Sequence, residues 1–469
     1  MKQARPYPRV TVSRKAARSL AAGHPWVFAS EVLDADAVEN GGVVDVFEEN
    51  GTWQGAALIS HNSTIRARIL SRNANDHIDE AFWERRIAWA WNHRLATMEG
   101  RSMPECESDL TCCRVVFSEA DGIPGLVVDK YEDVLVSQIG TVGMERLREM
   151  LYLLLVKTLV ATGHNVRAIY ERNDGEVRAK EGLDRYKGWW EGLGAHADKT
   201  TQQLVGDSAN KNASTDKAAS KRLPTHKVQE SADKSSSSNP NGDYPTRIVV
   251  RENGIRYRLD IVNSQKTGFF LDQKYNRRAV RELAQGRRVL DCFCHVGPFG
   301  LNALAGGADF VRCVDVSQTA LDLVRENAEL NAFANMRSRL SVTKADVMDY
   351  LPTLRDRGRL REEGGPFDLI VLDPPAFTKS NRTVRSALRG YRELNAAALR
   401  ILPRGGYLAT CSCSQHMTRD LLAQAIAEAA HGTNRQLKQV EERQQAPDHP
   451  ILWGFPQSHY LDFFVFQVV

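Results

Sequence analysis

Two cysteines close a long apolar segment near the end of the chain. Residues 405–414, GGYLATCSCS, are typical of a buried strand, and Cys411 and Cys413 lie at its carboxyl end. Side chains alternate along a strand, so the two thiols share a face and Cys413 lies closer to the strand end. A thiolate at this place could add covalently to an electron-poor ring carbon. The alternative for Cys413 is a small buried side chain without a chemical role.

A carboxylate closes the preceding apolar segment in the same way. The run FDLIVL is followed by Asp373-Pro374-Pro375-Ala376-Phe377, and the prolines stiffen a loop that cannot continue the strand. Asp373 and Phe377 would then be held over the strand ends, where a base could hydrogen-bond and stack. The alternative is a rigid strand exit with a phenylalanine in the core.

Three further carboxylates follow strand-like segments: Asp291 in RRVLDCF, Asp315 in FVRCVDV and Asp346 in KADVMDY. The turn after Asp291 contains Gly297 but not the G-x-G-x-x-G pattern that binds a pyrophosphate. Asp315 could accept hydrogen bonds from ribose hydroxyls, and Asp346 could accept one from an adenine amino group. The set favours a cationic, phosphate-free nucleoside cofactor, S-adenosylmethionine. A helix N-cap is the alternative role for each carboxylate.

The elements that would position these side chains alternate between strand and helix. After residue 247 the strand-like segments are RRVLDCF, FVRCVDV, RLSVTKAD, PFDLIVLDPP and GGYLATCSCS, with helix-like segments between them. This order predicts a doubly wound, mostly parallel α/β sheet with ligands at the carboxyl ends of its strands. We therefore expect a Rossmann-like class I methyltransferase domain over residues 247–469.

The preceding residues divide into three further parts. Residues 1–78 contain short apolar runs separated by turn residues, which predict a small β-barrel. A helical segment and four strand-like segments predict a central α/β domain over residues 79–197. Residues 198–246 are rich in Ser, Asn, Lys and Asp, so they would bury too little apolar surface to fold, and they predict a disordered insert.

The composition excludes several classes of protein. The chain of 469 residues has 62 basic and 58 acidic side chains and a net charge of +4, far from the composition of a histone-like protein. Its start lacks the apolar core of a signal peptide, and no run is long enough to span a membrane, so we expect a cytoplasmic protein without a membrane partner. The eight cysteines do not have the usual spacing of zinc ligands, so we expect free thiols and no metal.

Two basic segments could contact phosphate groups. The first 18 residues contain six basic side chains and no acidic one. Arg382, Arg385, Arg389 and Arg392 follow the D-P-P loop. A solvated terminus and a solvated helix face explain these charges equally well.

Motifs spread over nearly the whole chain, residues 198–246 excepted, match one known pattern. They are GHPWVF at 23–28, SEADGIPGL at 118–126, KTGFFLDQ at 266–273, DCF at 291–293, Asp315, DPPAF at 373–377, CSCS at 411–414 and QAPDHP at 445–450. With these motifs the chain resembles the bacterial 23S rRNA (cytosine-C5) methyltransferase I family. The resemblance implies that the amino-terminal barrel is an RNA-binding PUA domain.

The resemblance also implies a role for each site residue. Cys413 would attack C6 of the cytosine, which makes C5 nucleophilic enough to accept a methyl group. Asp373 would contact the base near N3 and N4. The S-adenosylmethionine site would be lined by Lys266, Gln273, Asp291, Phe293, Gly297, Asp315, Asp346 and Asp373. The implied partner is 23S ribosomal RNA or the large-subunit particle, and a homodimer is compatible with the sequence.

Three positions depart from the family's pattern. Pro298 stands where a second glycine is usual, Cys411 stands where cysteine is unusual, and Ala376 stands where many cytosine-C5 RNA methyltransferases carry a product-releasing cysteine. Cys411 could therefore assist or replace Cys413. The base that removes the C5 proton is not identified by the sequence.

Two other functions stay open at this point. The D-P-P-x-F loop also resembles loops that hold an exocyclic amine near a methyl donor, which would make the chain an RNA guanine-N2 methyltransferase with a dispensable Cys413. The second alternative is a ribosome-assembly factor that binds RNA and has lost catalysis. The sequence names neither the target nucleotide nor the form of the substrate, naked RNA or an assembled subunit.

Overall fold

The computed structural model describes residues 5–104, 106–192, 246–263, 267–333, 335–378 and 380–469. The predicted insert at 198–246 lies outside the described residues except for Thr246, and the predicted cofactor residue Lys266 lies outside them as well. Within these ranges, no helix combines the length and the apolar character needed to cross a membrane.

A six-stranded sheet occupies the amino-terminal region. Its elements are Arg9–Val12 (β1), Arg14–Ala21 (α1), Trp26–Phe28 (β2), Val32–Ala35 (β3), Val43–Glu48 (β4), Trp53–Ile59 (β5) and Ile65–Ser71 (β6). The strand order is β2-β6-β5-β4-β1-β3. Val10, Val44 and Val46 pack in one core with Leu20 of α1, so the helix covers an apolar face of the sheet.

A five-stranded sheet follows in the central region. Its elements are Glu80–Met98 (α2), Cys112–Phe117 (β7), Leu126–Tyr131 (β8), Val134–Ile139 (β9), Val142–Arg146 (α3), Arg148–Ala161 (α4), Ala168–Asn173 (β10), Glu176–Glu181 (α5) and Tyr186–Trp189 (β11). The strand order is β11-β10-β9-β8-β7. Trp83 and Trp91 of α2 are buried in one core with Leu155 of α4. The two sheets support a boundary near residue 78, and the predicted domain bounds stay a prediction.

The carboxyl-terminal region begins with a hairpin and continues as alternating strands and helices. Its elements are Arg247–Glu252 (β12), Ile255–Asp260 (β13), Lys274–Leu283 (α6), Arg288–Cys292 (β14), Pro298–Ala305 (α7), Phe310–Asp315 (β15), Gln318–Leu330 (α8), Met336–Arg339 (α9), Leu340–Lys344 (β16), Val347–Thr353 (α10), Arg357–Glu362 (α11), Leu369–Leu372 (β17), Val384–Ile401 (α12), Tyr407–Ser412 (β18), Arg419–Gly432 (α13), Leu437–Gln444 (β19) and Asp462–Val468 (β20).

These strands form a seven-stranded sheet in the order β16-β15-β14-β17-β18-β20-β19. The first five strands in this order are parallel, and β20 and β19 are antiparallel to their neighbours. One apolar cluster contains residues of α6, α7 and α8, and another contains residues of α10 and α12. The predicted α/β class with a Rossmann-like sheet is confirmed, and its terminal strands make it a mixed sheet.

The register of this sheet brings the predicted site residues to one edge. Cys292 pairs with Leu372, and Leu372 pairs with Thr410 on the next strand. Asp373 and Cys411 are the next residues after the paired Leu372 and Thr410 on the two adjacent strands. Their side chains therefore lie beside each other. The carboxyl ends of parallel strands are where ligands bind in this architecture.

The central and carboxyl-terminal regions share one apolar core. Tyr131 and Tyr170 of the central sheet belong to the same buried cluster as Phe269 and Val289. The ammonium group of Lys274, at the start of α6, donates to the backbone oxygens of Asp109 and Cys112 at 2.6 and 2.5 Å. The segment that leads into α6 is therefore fixed by the central region.

Candidate active site

Asp291 lies beneath the turn that follows β14. Its side chain is fully buried, and Oδ2 accepts a hydrogen bond of 2.8 Å from the backbone N–H of Gly300. Oδ1 has no partner among the described residues. Burial, together with the nearby charges of Asp373 and Asp315, raises the pKa of Asp291 to about 8. A buried carboxylate oxygen without a donor is suited to a cationic group of a ligand.

The turn between β14 and α7 has three residues in the left-handed backbone conformation. Phe293 has φ of 60°, His295 of 50° and Gly297 of 82°. This conformation costs a residue with a Cβ about 1 kcal/mol or more, so the surroundings must hold the turn in place. The backbone N–H of His295 donates to Oδ2 of Asp315 at 3.0 Å. A Cβ at position 297 would lie 3.0 Å from Val324, so the packing there also favours glycine.

Asp315 and Asp346, the two predicted nucleoside-binding carboxylates, have different surroundings. Asp315 ends β15, and its oxygens accept from the backbone N–H groups of His295 and Ser317 at 3.0 and 2.9 Å. Asp346 is exposed and caps α10 by accepting from the N–H of Met348 at 2.8 Å. The helix cap that the sequence left open is therefore observed at Asp346, and its contact with an adenine stays a prediction.

Asp373 directly follows β17 and receives two donors on one oxygen. The side-chain amide of Gln273 donates to Oδ1 at 3.1 Å, and Sγ of Cys411 lies 2.9 Å from the same atom. Gln273 is buried in a single 3-10 turn, Leu271–Gln273, that leads into α6. The structure thus joins a predicted cofactor residue and a predicted catalytic carboxylate in one hydrogen-bonded group.

Cys413 lies just beyond β18, in a loop that contacts the D-P-P loop. Its side chain is half-buried, and Sγ lies 3.8 Å from the backbone oxygen of Pro374. The hydroxyl of Ser414 donates to the backbone oxygen of Thr378 at 2.9 Å, which ties the two loops together. Cys411 is fully buried by contrast, so Cys413 is the more accessible of the two thiols.

Phe377 packs into the protein and lies against Tyr391, with ring centroids 4.7 Å apart. The hydroxyl of Tyr391 donates to Oγ of Ser412 at 2.9 Å and so supports the end of β18. Phe377 is therefore half-buried against the core, and its stacking on a base stays a prediction. Tyr391 and Ser412 were not anticipated, because nothing in the local sequence distinguishes a tyrosine of α12 that contacts a distant strand end.

Comparisons with known proteins identify the family of this chain. The model of the S-adenosylmethionine-dependent methyltransferase family matches residues 200–454, and the model of a PUA-like domain matches residues 10–72. The chain belongs to the S-adenosylmethionine-dependent methyltransferase family. Its cofactor is S-adenosylmethionine, as the sequence predicted, and its amino-terminal sheet is the predicted PUA-like domain.

The methyltransferase has relatives that match it almost from end to end. A protein of Shewanella denitrificans is 35% identical over 453 residues, 96% of this chain and 97% of the relative, and one of Aliivibrio fischeri is 34% identical over 455 residues with the same coverage. Both are named ribosomal RNA large subunit methyltransferase I. They confirm the family resemblance inferred from the motifs.

A solved structure of a protein from Streptococcus mutans, assigned to the S-adenosylmethionine-dependent methyltransferases, has a similar fold. It superposes with a TM-score of 0.70 at 18% identity, covering 98% of this chain and 100% of that chain. At this identity the similarity concerns the fold alone. It extends over all three regions of the methyltransferase.

The basic segments of the methyltransferase are partly neutralised. Arg389 pairs with Glu393 at 2.8 Å, and Arg392 pairs with Glu428 at 3.5 Å, which favours the solvated-face interpretation for these two arginines. At the amino terminus, Arg5 pairs with Asp45. Lys15 pairs with Glu31 at 3.4 Å. The other predicted phosphate contacts that lie exposed are Arg9, Arg14, Arg18, Arg382 and Arg385.

The QAPDHP segment of the methyltransferase lies at the junction with the central region. Asp448 is fully buried, accepts from the N–H of Arg114 at 2.8 Å and contacts the ring of His449 at 2.9 Å. Burial would raise the pKa of Asp448, but the nearby His449 and Lys274 lower it to about 2. Arg94, fully buried in α2, donates to the backbone oxygen of Asp448 at 2.7 Å. Buried hydrogen bonds from Arg94 and Arg114 therefore hold the segment against the central region.

Proposed function

We propose that this methyltransferase transfers a methyl group to C5 of a cytosine in 23S ribosomal RNA. The names of its curated relatives support ribosomal RNA of the large subunit as the substrate. The choice of C5 rests on one observation, the half-buried thiol of Cys413 held against the D-P-P loop that carries Asp373. Transfer to an oxygen or nitrogen atom would not need a thiol beside the acceptor.

In the proposed reaction Cys413 and Asp373 act on the base. The thiolate of Cys413 forms a bond to C6 of the cytosine, and the electron pair of the C5–C6 double bond becomes available at C5. Asp373 binds the base near N3 and N4 and orients it for this attack. After C5 has gained the methyl group, its proton leaves to a base, the double bond re-forms and the thiolate is released.

S-adenosylmethionine supplies a methyl group on a positively charged sulfur. The residues proposed to hold it are Gln273, Asp291, Phe293, Gly297, Asp315, Asp346 and Asp373. These residues fit the cofactor, because the unpartnered Oδ1 of Asp291 can accept a hydrogen bond from the ammonium group in the methionine part of S-adenosylmethionine. Asp315, at a strand end, is suited to the ribose hydroxyls. Lys266 keeps its predicted role in this site.

The PUA-like domain would bind the RNA outside the active site. Arg14 and Arg18 lie exposed on α1, and Arg382 and Arg385 lie exposed beyond the D-P-P loop. Such side chains contact phosphates and position an RNA without reading its sequence. We also propose the domain bounds 1–78, 79–197 and 247–469 for the three folded parts.

The test is methyl transfer from tritium-labelled S-adenosylmethionine to unmodified 23S ribosomal RNA, followed by nucleoside analysis. We expect label in 5-methylcytosine with the wild type and at least about a thousandfold less with Cys413→Ala, because the covalent step is lost. Cys106→Ala is the matched control, since Cys106 is a half-buried thiol outside the site.

A second measurement detects the adduct itself. RNA that contains 5-fluorocytidine cannot lose a proton from C5, so the covalent complex should accumulate and survive denaturation. Label in N2-methylguanosine, with full activity of Cys413→Ala, would establish the guanine alternative instead. RNA binding without methyl transfer would favour the assembly-factor alternative.

A further inference from the structure

Cys411 is a buried thiol that the proposed reaction does not use. It is fully buried, and its Sγ lies 2.9 Å from Oδ1 of Asp373 and 3.5 Å from the backbone oxygen of Leu372. The amide nitrogen of Gln273 is 3.4 Å from the same sulfur. Cys411, Gln273 and Asp373 therefore form a closed triangle of contacts at the ends of β17 and β18.

Cys411 acts in this triangle as a hydrogen-bond donor. Burial is the main cause that raises the pKa of Cys411 well above its usual range, and the charge of Asp373 raises it further. The sulfur therefore keeps its proton at neutral pH. A neutral thiol is a poor nucleophile, so these surroundings suit a structural donor better than an attacking group.

Gln273 supplies the second donor to the same oxygen. An ionised carboxylate accepts hydrogen bonds and cannot donate them, so the amide nitrogen rather than the amide oxygen must face Asp373. The amide oxygen of Gln273 accepts from the side chain of Asn276 at 2.6 Å, which fixes this orientation. Both lone pairs of Oδ1 are thus engaged by donors that come from two different elements.

We propose that Cys411 is a positioning residue for Asp373: its thiol and the amide of Gln273 hold the carboxylate in the one orientation from which it binds the target base. The role rests on the proposed function of Asp373. This positioning role explains why a thiol is useful at position 411, within hydrogen-bond distance of the carboxylate of Asp373. The same geometry separates the two cysteines, since Cys413 faces the D-P-P loop and Cys411 faces the carboxylate.

The experiment compares Cys411→Ser with Cys411→Ala. Serine keeps a donor to Asp373, and alanine removes it. A hydrogen bond to a charged group is worth a factor of about ten to a hundred, so we expect kcat of Cys411→Ala to fall by roughly this factor. Cys411→Ser should recover kcat to within about fivefold of the wild type.

A structural effect alone would not move the pH dependence. Loss of a donor to the charged carboxylate should shift the acidic limb of the kcat profile to higher pH in Cys411→Ala and leave it in place in Cys411→Ser. The carboxyl carbon-13 resonance of Asp373 should titrate in the same direction. That resonance is read in the free protein, so it tests the contact even without a known RNA substrate.

Three outcomes would overturn the proposal: wild-type kcat in Cys411→Ala, an unshifted titration of Asp373, or loss of the covalent adduct in Cys411→Ser. The last outcome would make Cys411 the nucleophile. A wild type that forms no adduct and methylates another nucleoside would refute the proposed function separately, because the two Cys411 variants can still be compared on that activity and on the Asp373 resonance.

Discussion

Cofactor binding should become tighter as the pH rises from 6 to 8, because the buried carboxyl of Asp291 must lose its proton first. Its pKa is about 8, and Oδ1 is the buried atom without a donor. At pH 6 only about 1% of such a group is ionised, and at pH 8 about half is. The cationic amino group of the cofactor, with an ordinary pKa near 8, is almost fully charged at pH 6 and about half charged at pH 8.

The population in which both partners are charged therefore rises from about 1% to about 25% over this interval. We expect the dissociation constant to fall roughly 25-fold between pH 6 and pH 8 and to rise again at higher pH, where the amino group loses its charge. Calorimetric titration with S-adenosylhomocysteine, which keeps the amino acid part, measures this directly.

The variant Asp291→Asn has no proton to lose, so its affinity should stay within about twofold between pH 6 and pH 7. Asp346→Asn is the matched control, because this exposed helix cap should weaken binding without removing the rise. A constant affinity of the wild type from pH 6 to pH 8, or a rise that persists in Asp291→Asn, would refute the role given to Asp291.

Two further variants test the framework around the site. Arg94→Ala leaves the nearly buried Asp121 without its partner and should destabilise the protein by about 3–5 kcal/mol, measured by denaturant unfolding, whereas the exposed Arg389→Ala should leave the midpoint unchanged. Gly297→Ala places a Cβ at φ of 82° and should cost about 1–2 kcal/mol and weaken cofactor binding. Gly100→Ala, with open space around its Cβ, is its control, and equal effects of the two glycine variants would contradict the argument.

Much of the carboxyl-terminal sheet could be predicted, because the sequence of a buried parallel strand is a continuous apolar run between two helical segments. The edge strand β19 could not be, since its residues LKQVEERQ are largely exposed and charged, as edge strands often are. The hairpin of β12 and β13 was missed although the sequence carries a signal for it. Asn253-Gly254 joins the two strands, with left-handed φ at both residues, and this pair is typical of a tight hairpin turn.

The sequence proposed residues for the candidate site, but it could not predict how these residues contact one another. Strand alternation suggested one face for Cys411 and Cys413, and their different surroundings depend on residues far away in the sequence. Gln273 reaches Cys411 across 138 positions, and no local pattern encodes such a contact. The direction of Phe377 depends in the same way on Tyr391, which belongs to the following helix.

The shared core of the central and carboxyl-terminal regions limits how this protein can be divided. Lys274 gives two of its hydrogen bonds to backbone oxygens of the central region, so a catalytic fragment expressed alone would expose an apolar surface and leave these bonds unmade. The catalytic region is therefore not a transferable module. The PUA-like domain is joined to the central region in the same way, because Leu58 and Leu70 lie in the central apolar core and the buried Arg68 and Glu181 form an ion pair of 2.9 Å. Protein engineering therefore has to move all three regions as one unit.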